Sequence, residues 1–561
     1  MNKIISIWIF PLIVLGFILS TINNCNSQPT SYPIDSKVFT THERTVVPVP
    51  VPNDAEKIFP YEISKYAQNG YGVWKFGPGL EYEKRLDIMS PAYSNTSVSI
   101  IAKLLNFFTI TDIHLTDKES PTQVILFGFK GGIISAYSAI MLYTTHVLDA
   151  AIQTANALHK QNPFDFGISL GDNANNTQYN ETRWFIDVLD GKMINPDSGI
   201  KDDPIPGPNN DYQDEYKAAG LDKTIPWYQA LGNHDHFWMG IKYPDDYLLQ
   251  TYSGENVLNM GDVLRDPLGI KSRGFYMGVM DGSTIYGDVI NIGPVNTTKV
   301  NKIPADPNRR SLKREEWLEE FFNTSANPVG HGFNEADAKR GFGCYTFEPN
   351  ANLPLKVIVL DDTQRDDDPD DDIYGHAELD KERYDWLFNE LDKGQSEGKL
   401  MIIAAHIPIG INDPNPELGW SKYSFGTEDE FLSKLHKYSN IILWVAGHRH
   451  LNTVTALKSP DANHPEFGFW EVETSSLREF PQQFRTFEIM RNSDNTISIF
   501  ATNVDPAVKE GSFAEISRSY AIAANQIFNV PPVFSYNVEL VKQLSPEMQT
   551  KIQNYGIPIK K

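Results

Sequence analysis

The sequence predicts an α/β fold, and three observations carry that prediction. Short apolar runs recur from about residue 104, several of them stop abruptly at Asp, Asn or His, and amphipathic helical patterns lie between them. The runs are Leu104 to Thr111, Phe164 to Leu170, Ile225 to Leu231, Leu355 to Leu360, Leu400 to Ala405 and Ile441 to Ala446. Their length and their content of Ile, Val and Phe read as buried strands. Val147, Leu148, Ala151, Ile152, Ala155 and Leu158 mark one face of a helix, and Tyr384, Trp386, Leu387 and Leu391 suggest another between 379 and 391. Alternating strands and helices make an α/β core, in which ligands gather outside the carboxyl ends of the strands.

Composition narrows the function classes. The chain has 561 residues, 41% hydrophobic and 22% charged, which is globular and excludes a multi-span membrane protein and a mostly disordered chain. Lys+Arg 49 against Asp+Glu 72 gives a net charge of −23. That balance argues against binding to nucleic-acid polymers, which needs a basic face. Two cysteines, Cys25 and Cys344, exclude a disulfide scaffold and a cysteine-rich zinc site.

The first residues read as an export signal, with Lys3 before an apolar run from Ile4 to Leu19 and a polar exit at Ser20 to Ser27. Cys25 at the end of the run resembles a bacterial lipoprotein cleavage site, although Ile22, Asn23 and Asn24 replace its usual Leu and small residues. Acylated Cys25 would anchor the chain to a membrane; ordinary cleavage nearby or an uncleaved anchor are the alternatives. Each implies an exported protein of the periplasm or cell envelope. The expected organisation is a signal peptide (1–24), an N-terminal extension (25–99), a central domain (100–505) and a C-terminal extension (506–561). Val46 to Pro52 reads as polyproline-like chain. Spacers of 60, 61 and 172 positions separate Asp112 from Asp172, Asp172 from Asn233 and His234 from His406. They place insertions at about 194–216 and 236–350, so the length reads as one decorated domain, with the second insertion as a cap beside the site.

The clusters after the runs are Asp112-Ile113-His114, Gly171-Asp172, Gly232-Asn233-His234-Asp235, His406 and Gly447-His448-Arg449-His450. In extended chain, residues i and i+2 point the same way, so Asp112 with His114, and His448 with His450, can each face one ion. Neighbours Asn233 and His234 point apart and take different jobs. Carboxylate, imidazole and amide oxygen suit Mn, Fe, Co, Ni or Zn better than Ca or Mg. Glycines beside three clusters allow close backbone approach.

Together and in this order, the clusters resemble the motifs of the calcineurin-like metallophosphoesterase superfamily, across roughly residues 100 to 505. The long spacers and the run Gly468 to Arg485 resemble an exported bacterial subgroup with insertions between motifs. The resemblance implies two mixed β-sheets packed as a sandwich and flanked by helices. It implies two divalent transition-metal ions (Mn, Fe or Zn), one on Asp112, His114 and His450, the other on Asn233, His406 and His448, bridged by Asp172. His234 would approach the leaving group and Asp235 would steady it. The implied reaction is hydrolysis of a phosphomonoester or phosphodiester by a metal-bridging hydroxide. Purple acid phosphatases carry glycine at the position of His114 and a metal-binding tyrosine at that of Asn175, so an iron-tyrosinate centre is not expected. Asn175 is instead a candidate for substrate or bridging solvent, and Arg478 for a substrate phosphate, with a structural ion pair as its alternative. The competing reading is a non-catalytic surface lipoprotein that keeps the fold and binds metal or a partner; intact His234 and the full ligand set favour the enzyme. A metallopeptidase would need a His-Glu-x-x-His helix, which is absent.

Other residues read as structural. Arg449 should point away from the metals, Cys344 should be a buried thiol, and Asp361 and Asp362 should support the site without ligating. His236 is open between a supporting role and substrate contact, His331 reads as a loop histidine, and Asp366 to Asp372 as a solvated acidic loop.

Overall fold

A computed structural model describes residues 34, 37–94, 96–125, 138–200, 205, 210–260, 274–280, 285–294, 302–367, 374–411, 419–530 and 535–559. The apolar run at the N-terminus and Cys25 lie outside these residues, as does most of the acidic run 366–372. Among the described residues no helix is long and apolar enough to cross a membrane.

The strands that matter for the site are β1 (Glu83–Arg85), β2 (Ile100–Ile110), β3 (Phe166–Ser169), β4 (Trp227–Gln229), β5 (Tyr345–Phe347), β6 (Leu355–Val359), β7 (Leu400–Ala404), β8 (Ile441–Ala446), β9 (Thr453–Leu457), β10 (Phe469–Glu473), β11 (Phe484–Asn492), β12 (Ile497–Val504), β13 (Val538–Lys542) and β14 (Ile557–Pro558). They form two mixed sheets. One runs β1-β13-β12-β11-β2-β3-β4, with β14 also beside β2; the other runs β5-β6-β7-β8-β10-β9. β2, β3 and β4 are mutually parallel, as are β6, β7, β8 and β10. Parallel neighbours need crossovers, and helices α1 (Thr144–Gln161), α2 (Tyr179–Asp190), α3 (Arg314–Glu320), α4 (Lys381–Ser396), α5 (Glu428–Leu435) and α6 (Phe513–Phe528) lie in the connections and flanks. This is the sandwich of two mixed sheets and helices that the motif order implies.

Strand alternation divides the apolar residues between two layers. Val357, Val359, Ile402, Ala404, Leu443 and Val445 share one core with Phe107, Phe487 and Ile489 of the facing sheet. Their neighbours Ile358, Met401, Ile403 and Trp444 pack outward with Leu387, Phe388 and Leu391 of α4 and Phe431 and Leu435 of α5. Burial on both faces is why these strands read as unbroken apolar runs. Phe107 stacks on Phe166 and on Phe487, each at 4.8 Å, and so ties three adjacent strands together.

Two segments differ from the reading of the sequence. The stretch Arg44–Pro48, which overlaps the start of the proline-rich run, is a strand paired antiparallel with Trp74–Pro78; Pro48, its last residue, is its only proline, so the four residues before it keep their N–H groups. The chain beyond 505 is woven into the main sheet: β13 pairs with both β12 and β1, and Trp470 Nε1 of the opposite sheet donates to the Val541 carbonyl at 3.1 Å.

Candidate metal centre

The carboxyl ends of β2, β3, β4, β7 and β8 meet at one edge of the sandwich, and the turns that leave them carry all seven candidate ligands. Backbone bonds continue the parallel pairing past the strands: His114 N–H donates to Asp172 O at 2.9 Å and Gly447 N–H to His406 O at 2.9 Å. The way Asp112 and His114 come to share a face differs from the expectation. They do not sit in extended chain. Asp112 (φ 50°), His114 (φ 47°), Asp172 (φ 54°), His448 (φ 74°) and His450 (φ 60°) all have left-handed backbone. That conformation is uncommon without glycine and concentrates at functional sites. Each pair faces inward because the chain coils around the site.

The donor atoms form two clusters that share Asp172 Oδ2. In the first, His114 Nε2 lies 3.1 Å from His450 Nε2 and 3.7 Å from Asp172 Oδ2, and Asp112 Oδ1 lies 3.2 Å from His450 Nε2. In the second, His406 Nε2 lies 2.9 Å from Asn233 Oδ1, 3.2 Å from His448 Nδ1 and 3.3 Å from Asp172 Oδ2. Adjacent ligands about 2.0–2.2 Å from one ion stand roughly 2.8–3.6 Å from each other; the second cluster has these dimensions, and the first is slightly wider, with His114 Nε2 3.7 Å from Asp172 Oδ2 and 3.9 Å from Asp112 Oδ1.

Their orientations fit the same purpose. His406 Nδ1 faces the Leu170 carbonyl at 2.9 Å, which requires the proton there and leaves the Nε2 lone pair facing inward. Asn233 Nδ2 donates to the Gly240 carbonyl at 2.9 Å, which turns Oδ1 toward His406 and His448. Asp172 Oδ1 accepts from His234 N–H at 2.8 Å, which leaves Oδ2 for the shared position. Asp112 is fixed by the Thr111 hydroxyl at 2.7 Å and the His448 N–H at 3.0 Å. Gly447 permits this approach, since a Cβ there would lie 2.4 Å from Asp112 Oδ2.

Charge is arranged accordingly. Burial disfavours a proton on His406, yet the Asp172 carboxylate outweighs it and pushes the imidazole up to about 10. Burial and the neighbouring imidazole His406 hold His448 well below its usual value. The carboxylates call for positive charge in a buried place, and divalent ions supply it more compactly than protons. His448 and His450 are partly exposed and leave the centre open on one side.

His234 also faces the centre, edge-on to His114 with ring centroids 4.5 Å apart. Its steadying partner differs from the expectation. His234 Nδ1 donates to the carbonyl of Asn175 at 2.7 Å. Asp235 points away and accepts backbone N–H groups of Asp172 (2.9 Å), Asn173 (3.0 Å), Ala174 (3.3 Å) and Gly232 (2.9 Å). It clamps the turns after β3 and β4 together, because adjacent side chains leave a tight turn in opposite directions. Burial and the nearby Asp172 push its carboxyl up to about 8, against the pull of these donors.

Asn175 and Arg478 do not line the opening as expected. Asn175 is buried, donates to Gln123 Oε1 at 2.8 Å and accepts from Arg478, so both ends of its amide are engaged. Arg478 is 1% exposed and packs behind Asn175. His236 is also turned away, with Nδ1 2.9 Å from Asp366 and Nε2 3.0 Å from Thr363 Oγ1. Asp366 pairs with His236 and Arg314 while a quarter of its side chain stays exposed, and Asp367 is exposed, as a solvated loop requires. His331 stacks on Trp227 at 3.4 Å, remote in contact from the ligands.

The supporting residues behave as read. Arg449 turns back onto Glu473 at 2.6 Å, Asp361 pairs with Arg314 (2.6 Å) and Arg383 (3.1 Å), and Asp362 accepts from Ile407 N–H beside His406. Cys344 is a free, buried thiol whose ionisation burial opposes. Two residues near the centre were not legible in the sequence. A Cβ on Gly240 (φ 71°) would lie 2.5 Å from both His234 Nε2 and Asn233 Nδ2. The carboxylate of Glu479 meets His450 Nδ1.

No protein-family model matches the chain, and no curated protein does. Among solved structures, a dimetal phosphatase from Danio rerio overlays with a TM-score of 0.37 at 10% identity, over 72% of this chain and 100% of that one. A protein described as a 5'-nucleotidase from Staphylococcus aureus gives 0.30 at 12% identity, over 74% of this chain and 57% of that one. GAP50, the anchor in the inner membrane complex of Plasmodium, gives 0.29 at 12% identity, over 79% and 98%.

Proposed function

We propose that this chain is a metal-dependent phosphoester hydrolase of the calcineurin-like metallophosphoesterase type. The observation that supports it is the convergence of seven donor atoms into two shells around one shared carboxylate oxygen, Asp172 Oδ2. Asp112, His114 and His450 would hold one divalent transition-metal ion, and Asn233, His406 and His448 the other. When bound, such a pair supplies Lewis-acid charge and a solvent nucleophile active near neutral pH.

The chain's own residues do the rest. The buried walls keep bulk water from competing, and Asp112 and Asp172 fix where positive charge accumulates. His234 stands at the rim with Nδ1 committed to the Asn175 carbonyl in either protonation state. Only Nε2 is then able to exchange a proton, on a ring that packs edge-on against His114 of the centre. That suits a general acid that protonates the leaving alcohol. Arg478 holds Asn175, whose carbonyl in turn holds His234.

The test combines metal analysis of the purified protein with turnover of p-nitrophenyl phosphate and its bis-ester in Mn2+ or Zn2+. Asp172→Ala is expected to lose both ions and all turnover. His234→Ala is expected to keep the ions and lose about 10²–10⁴-fold in kcat. A wild type that binds two ions but turns over neither ester, nor any of a broad phosphoester panel, would instead be a non-catalytic binding protein.

Lys3, the apolar run Ile4 to Leu19 and Cys25 support export, with Cys25 as the acylation point of an envelope lipoprotein. Mass spectrometry of the mature N-terminus distinguishes an acylated Cys25 from ordinary cleavage.

A further inference from the structure

Beyond the ligands themselves, we propose that Glu479 is a positioning residue that makes the ion site of Asp112, His114 and His450 the tighter of the two. The proposal rests on the metal-dependent reading above.

The segment after β10 passes directly behind this cluster. Leu477 N–H reaches the Thr111 carbonyl, and Ser476 Oγ lies 2.7 Å from the Asp112 carbonyl. Ser476 Oγ also lies 3.0 Å from Glu479 Oε2, while Glu479 Oε1 meets His450 Nδ1. Glu479 is 4% exposed and Ser476 1%. One buried carboxylate is therefore held at one oxygen and faces a candidate ligand with the other.

A carboxylate behind an imidazole fixes its tautomer and makes the opposite nitrogen a stronger donor. The corresponding partner in the other cluster is weaker: His406 Nδ1 faces only a neutral carbonyl, that of Leu170. The two shells also differ in their own charge. The first has Asp112 besides the shared Asp172; the second has the neutral amide of Asn233. Both differences favour the same site. Glu479→Gln suits the test because the amide oxygen still accepts from Nδ1–H and the amide nitrogen can donate to Ser476 Oγ. The shape survives and the charge does not.

The experiment is calorimetric titration of Mn2+ or Zn2+ into chelator-treated wild type, E479Q, E479A, H450A and the double variant H450A/E479Q. Thermal unfolding of each metal-free protein checks the fold. The expected result is two ions in wild type, one of them weakened about 10–100-fold in E479Q and at least as much in E479A. The other ion keeps its affinity, and the double variant matches H450A. The proposal is overturned if E479Q titrates as wild type, if both ions weaken alike, or if E479Q weakens H450A as much as it weakens wild type. If metal-free E479Q does not fold, E479D replaces it: the charge remains but no longer reaches His450, and the same selective loss is expected. A wild type that takes up no ion sinks the metal reading itself, a separate result.

Discussion

At the scale of single residues, the centre is held by atoms that accept no substitute. Gly240 lies against both His234 and Asn233, and its left-handed backbone leaves no room for a side chain. Gly240→Ala is expected to displace both residues and lower turnover about 10²-fold, with near-native circular dichroism; a variant of wild-type activity would show that the contact is slack. Asp235 faces four backbone donors. Asp235→Asn turns an N–H toward some of them and, above about pH 8 where the carboxyl is ionised, is expected to cost at least about 1–3 kcal/mol, read from urea unfolding. A purely catalytic partner of His234 would show no such loss.

At the scale of elements, the C-terminal strand and helix are structural necessities of the main sheet. Val538, Leu540, Val541, Leu544, Met548 and Ile552 are almost completely buried. At roughly 1.5–3 kcal/mol for each side chain, their burial is comparable with the whole net stability of about 5–15 kcal/mol. Deleting residues 536–561 is therefore expected to give insoluble or unfolded protein, and a soluble, metal-binding truncation would refute it. The strands of the site were legible because burial on both faces writes them as plain apolar runs; β2, β3, β4, β6, β7 and β8 all fall within the runs or overlap them. β13 was not, because five residues with two charges, Glu539 and Lys542, look like surface chain. Only pairing with β12 and β1 makes it a strand.

At the scale of the whole molecule, two buried groups remote in contact from the ligands link stability to pH with opposite signs. Burial pushes Asp149 up to about 7, against its bonds to Ala219 N–H and Gln153. Its contribution is therefore lost as pH rises from about 4 through about 7. Burial brings His331 down to about 3, and its contribution is lost as pH falls from about 6.5 toward 3. In urea unfolding, Asp149→Asn is expected to gain on wild type as pH rises from 4 to 8. His331→Gln is expected to gain on wild type as pH falls from 7 to 4. Parallel pH profiles for variant and wild type would refute the assignment in either case.

The sequence by itself determined the α/β alternation, the strand ends and the seven candidate ligands, because each is a local pattern: an apolar run, a turn, a cluster of donors. It also carried Arg449 and Asp361 as bystanders. Only the tertiary structure decided which atom of each candidate ligand faces the centre. Left-handed turns, not extended chain, aim Asp112, His114, His448 and His450. The Asn175 carbonyl, not the Asp235 carboxylate, fixes His234. Glu479 stands behind His450 from 29 positions away. Those choices depend on hydrogen-bond partners brought together by packing between segments far apart in the chain, and no spacing along a sequence encodes them.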